Sequence, residues 1–421
     1  MVVITHTTIG MIFMPEEFFT EKSKDAVKIC DDVYWVGAID YKIRDFHGYF
    51  TPHGTTYNAY LILGDEPILI DTVKREFFGE MLSRISSVVE PEEIKYIVAL
   101  HSELDHSGSL PAILKIAKHA RVIASEKCQE FLKLHHHNLN LQVLTVEDGT
   151  TLKIGNMTCT FLNASMLHWP DNTMLFLHER GILFSSDAFG QHLATRERFS
   201  DQVSNDVVMY EAKKYYANII SRYAAVVTKK LNDLLSRNFN IEIIAPAHGV
   251  IWRGDLKGIL DAYLKWSNGV PEKKAVVVYD TMWGSTARMA HAIASGIMSK
   301  GVKVKVFNLR STDRSEVLTE VLDACAIVVG SPTLNNTMFP TVADFLTYLK
   351  GFKLKNKIGA AFGSYGWSGE APKEVLDILK SMGFEVIEPP LRTKYVPSEE
   401  DLAKCQEFGT KISDMVLSKT A

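Results

Sequence analysis

Short apolar runs separated by polar, glycine-containing turns alternate with stretches of helical period along the first two-thirds of the chain. Residues 33–36, 58–63 and 67–71 read as strands, and residues 74–89 place apolar side chains on one face of an amphipathic helix. A strand over 97–100 runs into a polar loop, followed by a helix over 110–118, a strand over 121–124 and a helix over 125–134. Short strands return within 152–162, at 174–177 and at 182–185, before a helical block over about 206–237 and a strand over 241–244. Two sheets packed face to face between helices, an αββα sandwich, satisfy this order. The polar loops then gather at one edge of the sandwich, where a rigid scaffold places its chemistry.

The pattern changes after Asn268-Gly269-Val270-Pro271, where two turn formers are followed by the charged Glu272-Lys-Lys274. This stretch reads as a linker and divides the chain into residues 1–269 and 272–421. Beyond it, strands at 275–279, 302–307, 324–329, 357–362 and 385–387 alternate with helices that include 286–300, 341–349 and 371–382. Regular alternation of this kind predicts a doubly wound, five-stranded parallel sheet. The fold class is therefore α+β followed by α/β.

Composition narrows the class of protein. A chain of 421 residues exceeds what one hydrophobic core serves, which agrees with two domains. With 46% hydrophobic and 23% charged residues and a net charge of −4, it reads as an ordinary soluble protein. No dense run of Lys and Arg is present to neutralise phosphates, so nucleic acid is not an expected partner. No apolar stretch approaches the ~20 residues of a membrane span, and residues 1–14 lack the basic start and cleavage site of a signal peptide. A cytoplasmic protein is expected. The five cysteines are far apart and form no Cys-x-x-Cys pair, so neither a disulfide framework nor a cysteine-ligated iron is indicated.

The polar loop after residue 100 is His101-Ser-Glu103-Leu-Asp105-His106, four potential metal ligands within six residues. His168, Asp187 and His248 follow in later loops, and seven ligands suffice for two metals. Di-zinc hydrolases of the metallo-β-lactamase class carry His-x-His-x-Asp-His at such a loop, whereas this chain has Glu103 in place of the second histidine. Four imidazoles and three carboxylates suit iron or manganese better than zinc. Any one of these residues alone could be an ordinary loop polar; all seven together are poorly explained that way.

In the second domain, the first strand runs through Thr281, Met282, Trp283, Gly284 and Ser285 into a helix opening at Thr286. Backbone N–H groups and hydroxyls converge there on the positive end of a helix, an arrangement suited to a phosphate, although a capped strand-to-helix turn would look similar. Two further loops follow neighbouring strands, one with Pro332, Thr333, Leu334, Asn335 and Asn336, the other with Ser364, Tyr365, Gly366, Trp367, Ser368 and Gly369. Tyr365 and Trp367 could flank a flat ring, with Asn335 and Asn336 at its polar edge. Flavin mononucleotide (FMN) fits all three loops. The absence of Gly-x-Gly-x-x-Gly and Gly-Lys-Thr disfavours a dinucleotide or nucleoside triphosphate.

Taken together, the chain resembles the flavodiiron proteins, or A-type flavoproteins, in which a metallo-β-lactamase-like domain precedes a flavodoxin-like one. The resemblance rests on His101-x-Glu103-x-Asp105-His106, His168-Trp-Pro-Asp-Asn172, Ser186-Asp187 and Ala247-His248-Gly249. Gly54-Thr-Thr-Tyr-Asn58, the Thr281 loop and Gly363-Ser-Tyr-Gly-Trp367 also resemble the family. It implies one iron on His101, Glu103 and His168, a second on Asp105, His106 and His248, and a bridge by Asp187 together with an oxo or hydroxo group. His47 and Tyr215 look like pocket residues that donate hydrogen bonds to substrate, with packing or capping as their alternative role. The implied activity is reduction of dioxygen to water or of nitric oxide to nitrous oxide. Those reactions take four and two electrons, a demand that two ferrous irons and one reduced flavin match. The resemblance further implies a head-to-tail homodimer or tetramer that brings the flavin of one subunit to the irons of another. Because no rubredoxin or flavin reductase module is attached, electrons are expected from a separate rubredoxin-like protein, a flavin reductase or a reduced deazaflavin.

Two other readings compete. A di-metal zinc hydrolase with a fused flavodoxin-like module would share the fold, with Glu103 the main argument against it. A pure electron carrier would not need seven ligands. The choice between dioxygen and nitric oxide is not legible in these motifs.

Overall fold

The computed structural model describes residues 25–137, 139 and 141–421, so the reading of residues 1–14 lies outside the described residues. The first domain is an αββα sandwich. One sheet orders its seven strands as Val27–Cys30, Val33–Trp35, Tyr60–Ile62, Ile68–Ile70, Tyr96–Ala99, Arg121–Ser125 and Val143–Val146. The other runs Thr151–Ile154, Met157–Asn163, Thr173–Leu177, Ile182–Ser186, Ile243–Pro246 and Trp252–Arg253.

The period of two explains why both faces of the first sheet are apolar. Ile68 and Ile70 point into the layer between the sheets while Leu69 faces the outer helices, and the pattern repeats with Val98 against Ile97 and Ala99. Phe161, Leu175, Leu177 and Phe184 fill the same layer from the second sheet. Each such side chain contributes roughly 1.5–3 kcal/mol by leaving water. A charge at Leu69 would therefore separate the sheet from the helices Phe78–Ser86 and Leu110–Ile116.

The second domain is a parallel sheet in the order Lys303–Asn308, Glu272–Tyr279, Ala324–Gly330, Ile358–Tyr365, Glu385–Val386. Its fifth position is shared. Glu385–Val386 pairs with Ile358 and Gly359, while Leu391–Lys394, which sequence reading left unassigned, pairs with Phe362–Tyr365. The Thr281 and Pro332 loops thus leave the two strands where the winding reverses, the crevice in which open α/β sheets hold ligands.

Three expectations need correction. Glu272, Lys273 and Lys274 are not linker but the start of a strand, and Lys274 is buried against Glu320 (3.0 Å) and Asp323. The helical block over 206–237 is broken: an α-helix Asn205–Tyr215 passes into a π-helical turn Tyr216–Ile220 before the helix Ala224–Ser236. The helices Arg314–Asp323 and Glu399–Lys419 went unread, although Ser398 and Asp401 form a capping box at the start of the latter.

The two domains share one apolar cluster. Val208, Ala212 and Ile220 of the first pack with Val317, Val321 and Phe345 of the second. Polar pairs rim this contact, with Tyr210 donating to Glu316 (2.6 Å) and the fully buried Lys214 paired with the same carboxylate. No helix among the described residues is long and apolar enough to cross a membrane. Four of the five cysteines are buried, Cys30 is partly so, and all are free.

Candidate metal centre and flavin cleft

The seven ligands proposed from sequence arrive on separate segments at one end of the sandwich. Tyr96–Ala99 leads to His101, Ile182–Ser186 to Asp187, and Ile243–Pro246 to His248. Glu103, Asp105 and His106 sit on and beside the short helix Leu104–Ser107, and His168 lies in the loop before Thr173–Leu177. Ser186, immediately before Asp187, has φ +53°. So do His47 and Asp71, and such left-handed non-glycine residues gather where a site is held under constraint.

The ligands sort into two groups around Asp187. His101 Nε2 and His168 Nε2 each lie 3.3 Å from Glu103 Oε2, and 3.7 and 3.8 Å from Asp187 Oδ2. His106 Nε2 and His248 Nε2 lie 3.3 and 3.1 Å from Asp105 Oδ2, and 3.3 and 3.6 Å from Asp187 Oδ1. One oxygen of Asp187 thus faces each group. Each oxygen also accepts one hydrogen bond, Oδ2 from Asn172 (3.0 Å) and Oδ1 from Tyr215 (2.9 Å), which fixes the plane of the carboxylate.

Of these histidine–carboxylate contacts only that of His101 with Glu103 has hydrogen-bond alignment as well as ion-pair distance. His106, His168 and His248 Nε2 and both oxygens of Asp105 are buried with no hydrogen-bond partner. Leaving so many polar atoms unsatisfied would cost several kcal/mol, and buried carboxylates demand counter-charge. A pair of divalent cations meets both needs, and the donor set of four imidazoles and three carboxylates fits iron. Burial alone would raise the Glu103 carboxyl, but the hydrogen bond from His101 and the adjoining His168 imidazole bring it down to about 2. Asp187 is likewise held well below the usual carboxylate range, its burial outweighed by His106, His101 and His168. Burial lowers His106 while Asp105 and Asp187 raise it, with the net at about 9. The cavity therefore favours positive charge.

Support behind the ligands was less visible in the sequence. Asp171 accepts from His101 Nδ1 (3.1 Å) and from the Ser102 N–H (2.8 Å), which turns the other ring nitrogen inward. His248 Nδ1 is instead held by the Thr56 carbonyl (2.6 Å), and Asp71 accepts from the Leu100 N–H (2.8 Å). The Gly54–Asn58 motif thereby acquires a role, since Asn58 also donates to the carbonyls of Pro246 (2.8 Å) and Gly249 (3.0 Å) on either side of His248. His192, unread before, is buried with its ring 5.1 Å from that of His248. No local pattern marked it.

Both pocket residues reach the centre. His47 Nε2 lies 3.6 Å from Glu103 Oε1 and 3.8 Å from Asp105 Oδ2, so it touches both groups. Phe46 stacks on its ring at 4.0 Å, and neither ring nitrogen has a hydrogen-bond partner. Burial lowers its pKa to about 4 against the pull of Asp105 and Glu103, so the ring is neutral. Tyr215 is buried and its hydroxyl is spent on Asp187.

In the second domain, the residues read from the three loops adjoin one another. Gly284 takes φ +86° ahead of the helix Ser285–Met298, with nothing within 4 Å of the space a side chain would fill, and its N–H donates to Thr281 Oγ1 (3.0 Å). Thr286 Oγ1 and Ser364 Oγ are 2.9 Å apart and join the first loop to the third. Thr333 N–H donates to the Ser364 carbonyl (3.0 Å), joining the second. Asn335 and Asn336 both have left-handed backbone, and the Asn336 amide is spent on Ser368 (3.3 Å) and Glu370 (3.1 Å). Gly369 lies against the Tyr365 ring so closely that a Cβ there would be 2.9 Å from Cγ. Met282 is exposed, and the indoles of Trp283 and Trp367 are 90% and 85% exposed at the mouth of the cleft. Open backbone at a helix start, two hydroxyls and free aromatic faces fit FMN.

Comparison with known proteins agrees with both halves. Residues 55–249 match the family model described as ODP family beta lactamase, and residues 277–409 match flavodoxin. The chain is 44% identical over 390 residues to a nitric oxide reductase of Moorella thermoacetica, covering 92% of this chain and 98% of that protein. The structure superimposes on rubredoxin oxygen:oxidoreductase from Desulfovibrio gigas with a TM-score of 0.92 and 40% identity, covering 94% and 100% of the two chains. A flavodiiron protein from Giardia intestinalis gives a TM-score of 0.92 at 37% identity, covering 95% and 98%.

Proposed function

Because this chain belongs to the flavodiiron proteins, we propose that His101, Glu103 and His168 hold one iron, that Asp105, His106 and His248 hold the other, and that Asp187 spans both. The protein is an oxidoreductase that reduces dioxygen to water, nitric oxide to nitrous oxide, or both, at a non-haem di-iron site fed with electrons through FMN. The observation that carries the ligand assignment is the facing of one Asp187 oxygen to each group.

When bound, the irons supply Lewis acidity and two electrons, and the reduced flavin supplies two more. The side chains supply orientation. Tyr215 and Asn172 keep Asp187 in one plane, and Asp171 and Thr56 hold His101 and His248 in a single ring orientation. His47 faces both groups and, being neutral, keeps an N–H for an oxygen atom of the substrate. The buried rings of Tyr215 and His192, with Phe46 on His47, exclude bulk water from the same space. In the cleft, the start of the helix Ser285–Met298 with Thr281 and Thr286 takes the phosphate, and the Pro332–Asn336 and Ser364–Gly369 loops take the ring.

We assign residues 1–269 to the di-iron domain and 272–421 to the flavin domain. A head-to-tail dimer or tetramer accounts for Trp283 and Trp367, whose exposure on one subunit is large for apolar rings. Electrons come from a separate donor, a rubredoxin-like protein, a flavin reductase or a reduced deazaflavin; a relative's name includes rubredoxin. The chain composition and free cysteines favour the cytoplasm.

The test is metal and flavin analysis followed by anaerobic mixing of the reduced protein with each gas. Two irons and one FMN per chain with consumption of dioxygen or nitric oxide are expected. Two zincs with ester or lactam hydrolysis and no gas consumption would sink it.

A further inference from the structure

We propose that the protons consumed at the metal centre enter through the ion pair of His53 with the buried carboxylate of Glu211. The inference rests on the reading that the site reduces dioxygen or nitric oxide. Conversion of dioxygen to two waters takes up four protons with four electrons, and coupling of two nitric oxides to nitrous oxide and one water takes up two with two. A centre walled by buried side chains needs a way in for them.

The His53 side chain is 50% exposed, and its Nδ1 lies 2.9 Å from Oε1 of Glu211, whose side chain is 3% exposed. An imidazole at the surface is thus joined directly to an acid in the interior. Glu211 stands one helical turn before Tyr215 on Asn205–Tyr215, so the two share a helix face. Between this helix and the metal centre's His248, whose ring is 5.1 Å from that of His192, the domain holds buried polar atoms with no hydrogen-bond partner: Tyr49 Oη, His192 Nε2 and both ring nitrogens of His47. Their rings adjoin in order, Tyr49 to His192 at 5.4 Å and His192 to His47 at 5.2 Å. Buried atoms of this kind are rare in folded proteins and mark places that ordered water fills. Here they form a row that ends at the pocket.

The row is tied to the inlet by the chain itself. Two residues after His53, Thr55 Oγ1 lies 2.8 Å from His192 Nδ1, so the segment that carries the surface histidine also orients the inner one. Burial, and next the charge of Glu211, push the Tyr49 hydroxyl well above its ordinary value, so it stays neutral.

Protonated His53 gives its Nδ1 proton to Glu211 Oε1 and regains one from water. The carboxylic acid passes its proton inward and is ionised again. Tyr49 and His192 each give up one proton as they accept another, so neither changes charge. His53 faces Glu211 and Lys214 on Asn205–Tyr215 and Glu316 on Arg314–Asp323. The hydrogen bond that His53 donates to Glu211 raises its pKa most, burial opposes, Lys214 lowers it and Glu316 raises it.

The test uses full-length protein loaded with iron and FMN, in wild-type, His53→Ala, Glu211→Gln and Glu211→Asp forms. His53→Ala and Glu211→Gln are expected to keep their iron, flavin and rate of flavin reduction. Their gas consumption falls roughly tenfold or more, with a larger solvent deuterium isotope effect. Free imidazole restores His53→Ala but not Glu211→Gln, and Glu211→Asp recovers part of the rate. In metal-free protein, NMR titration of labelled histidines shows the His53 pKa lowered by Glu211→Gln. Wild-type turnover in His53→Ala across the pH range, indifferent to imidazole, overturns the proposal, as does an unmoved His53 titration in Glu211→Gln. If wild-type protein consumes neither gas while the His53 titration still follows Glu211, the functional reading fails instead.

Discussion

The Tyr215 hydroxyl donates to Oδ1 of Asp187 at 2.9 Å, the oxygen that faces His106 and His248, while Asn172 holds the oxygen that faces His101 and His168. Each half of the carboxylate therefore has its own clamp. Tyr215→Phe removes one clamp and leaves a buried charged oxygen short of a donor, which costs about 2 kcal/mol. Urea unfolding is expected to show that loss. Iron content stays at two per chain, and turnover falls about tenfold. Unchanged turnover would mean that Tyr215 only packs.

Asp171 supports one group alone, through His101. Asp171→Asn keeps the shape and loses the charge behind that imidazole, a change that weakens metal binding by roughly 10–100-fold. Chelator competition is expected to resolve one weakened and one unaltered iron. Equal weakening of both would contradict the grouping around Asp187.

Gly249 has φ +80°, and a Cβ there would stand 2.2 Å from Gln191 Oε1 and 2.6 Å from the Gln191 carbonyl. The carbonyl is backbone and cannot swing aside. Gly249→Ala combines a left-handed alanine with this clash, a cost of about 3 kcal/mol or more, and it displaces the neighbouring His248. Lower thermal stability together with loss of iron checks this outcome; a stable protein with full iron would refute it.

Lys357 is buried with its ammonium on the carbonyls of Leu322 (2.8 Å) and Ala324 (2.6 Å), and burial lowers its pKa to about 7 despite Asp323 nearby. Between about 7 and the ordinary lysine value, the unfolded chain binds the proton that the folded one has released. Stability from this residue therefore rises as pH increases through that window and is lost as pH falls toward 7, with an amplitude on the order of a few kcal/mol. Urea unfolding at pH 7 and pH 9.5 is expected to show this gain in wild-type protein and a smaller one in Lys357→Met. Equal pH dependence in both would show that Lys357 stays charged in the fold.

The candidate ligands are legible because each sits next to the strand end or loop turn that delivers it, so His101–His106, Asp187 and His248 stand out against apolar neighbours. What supports them is not, because it comes from far along the chain: Asp171 reaches His101 across 70 positions and Thr56 reaches His248 across 192. Glu211 is one of several charges on the helix Asn205–Tyr215, and nothing local marks it. In the second domain the apolar central strands declare themselves, whereas Leu391–Lys394 has a cation at every second position and no apolar run to mark it. Charge misled at Lys274 too, where carboxylates hidden on a later helix make burial tolerable.

Lys214 adjoins Tyr215 in sequence and ends, fully buried, on Glu316 of the other domain. A buried cation deprived of its counter-ion is destabilising by about 3–5 kcal/mol, a large share of a domain's net stability. The halves are thus not interchangeable parts. A chimaera that joins this sandwich to a homologous flavodoxin would fold well only where the incoming helix brings an acid to the place of Glu316, and swapping partners would disturb the tyrosine beside the metals before any electron moved.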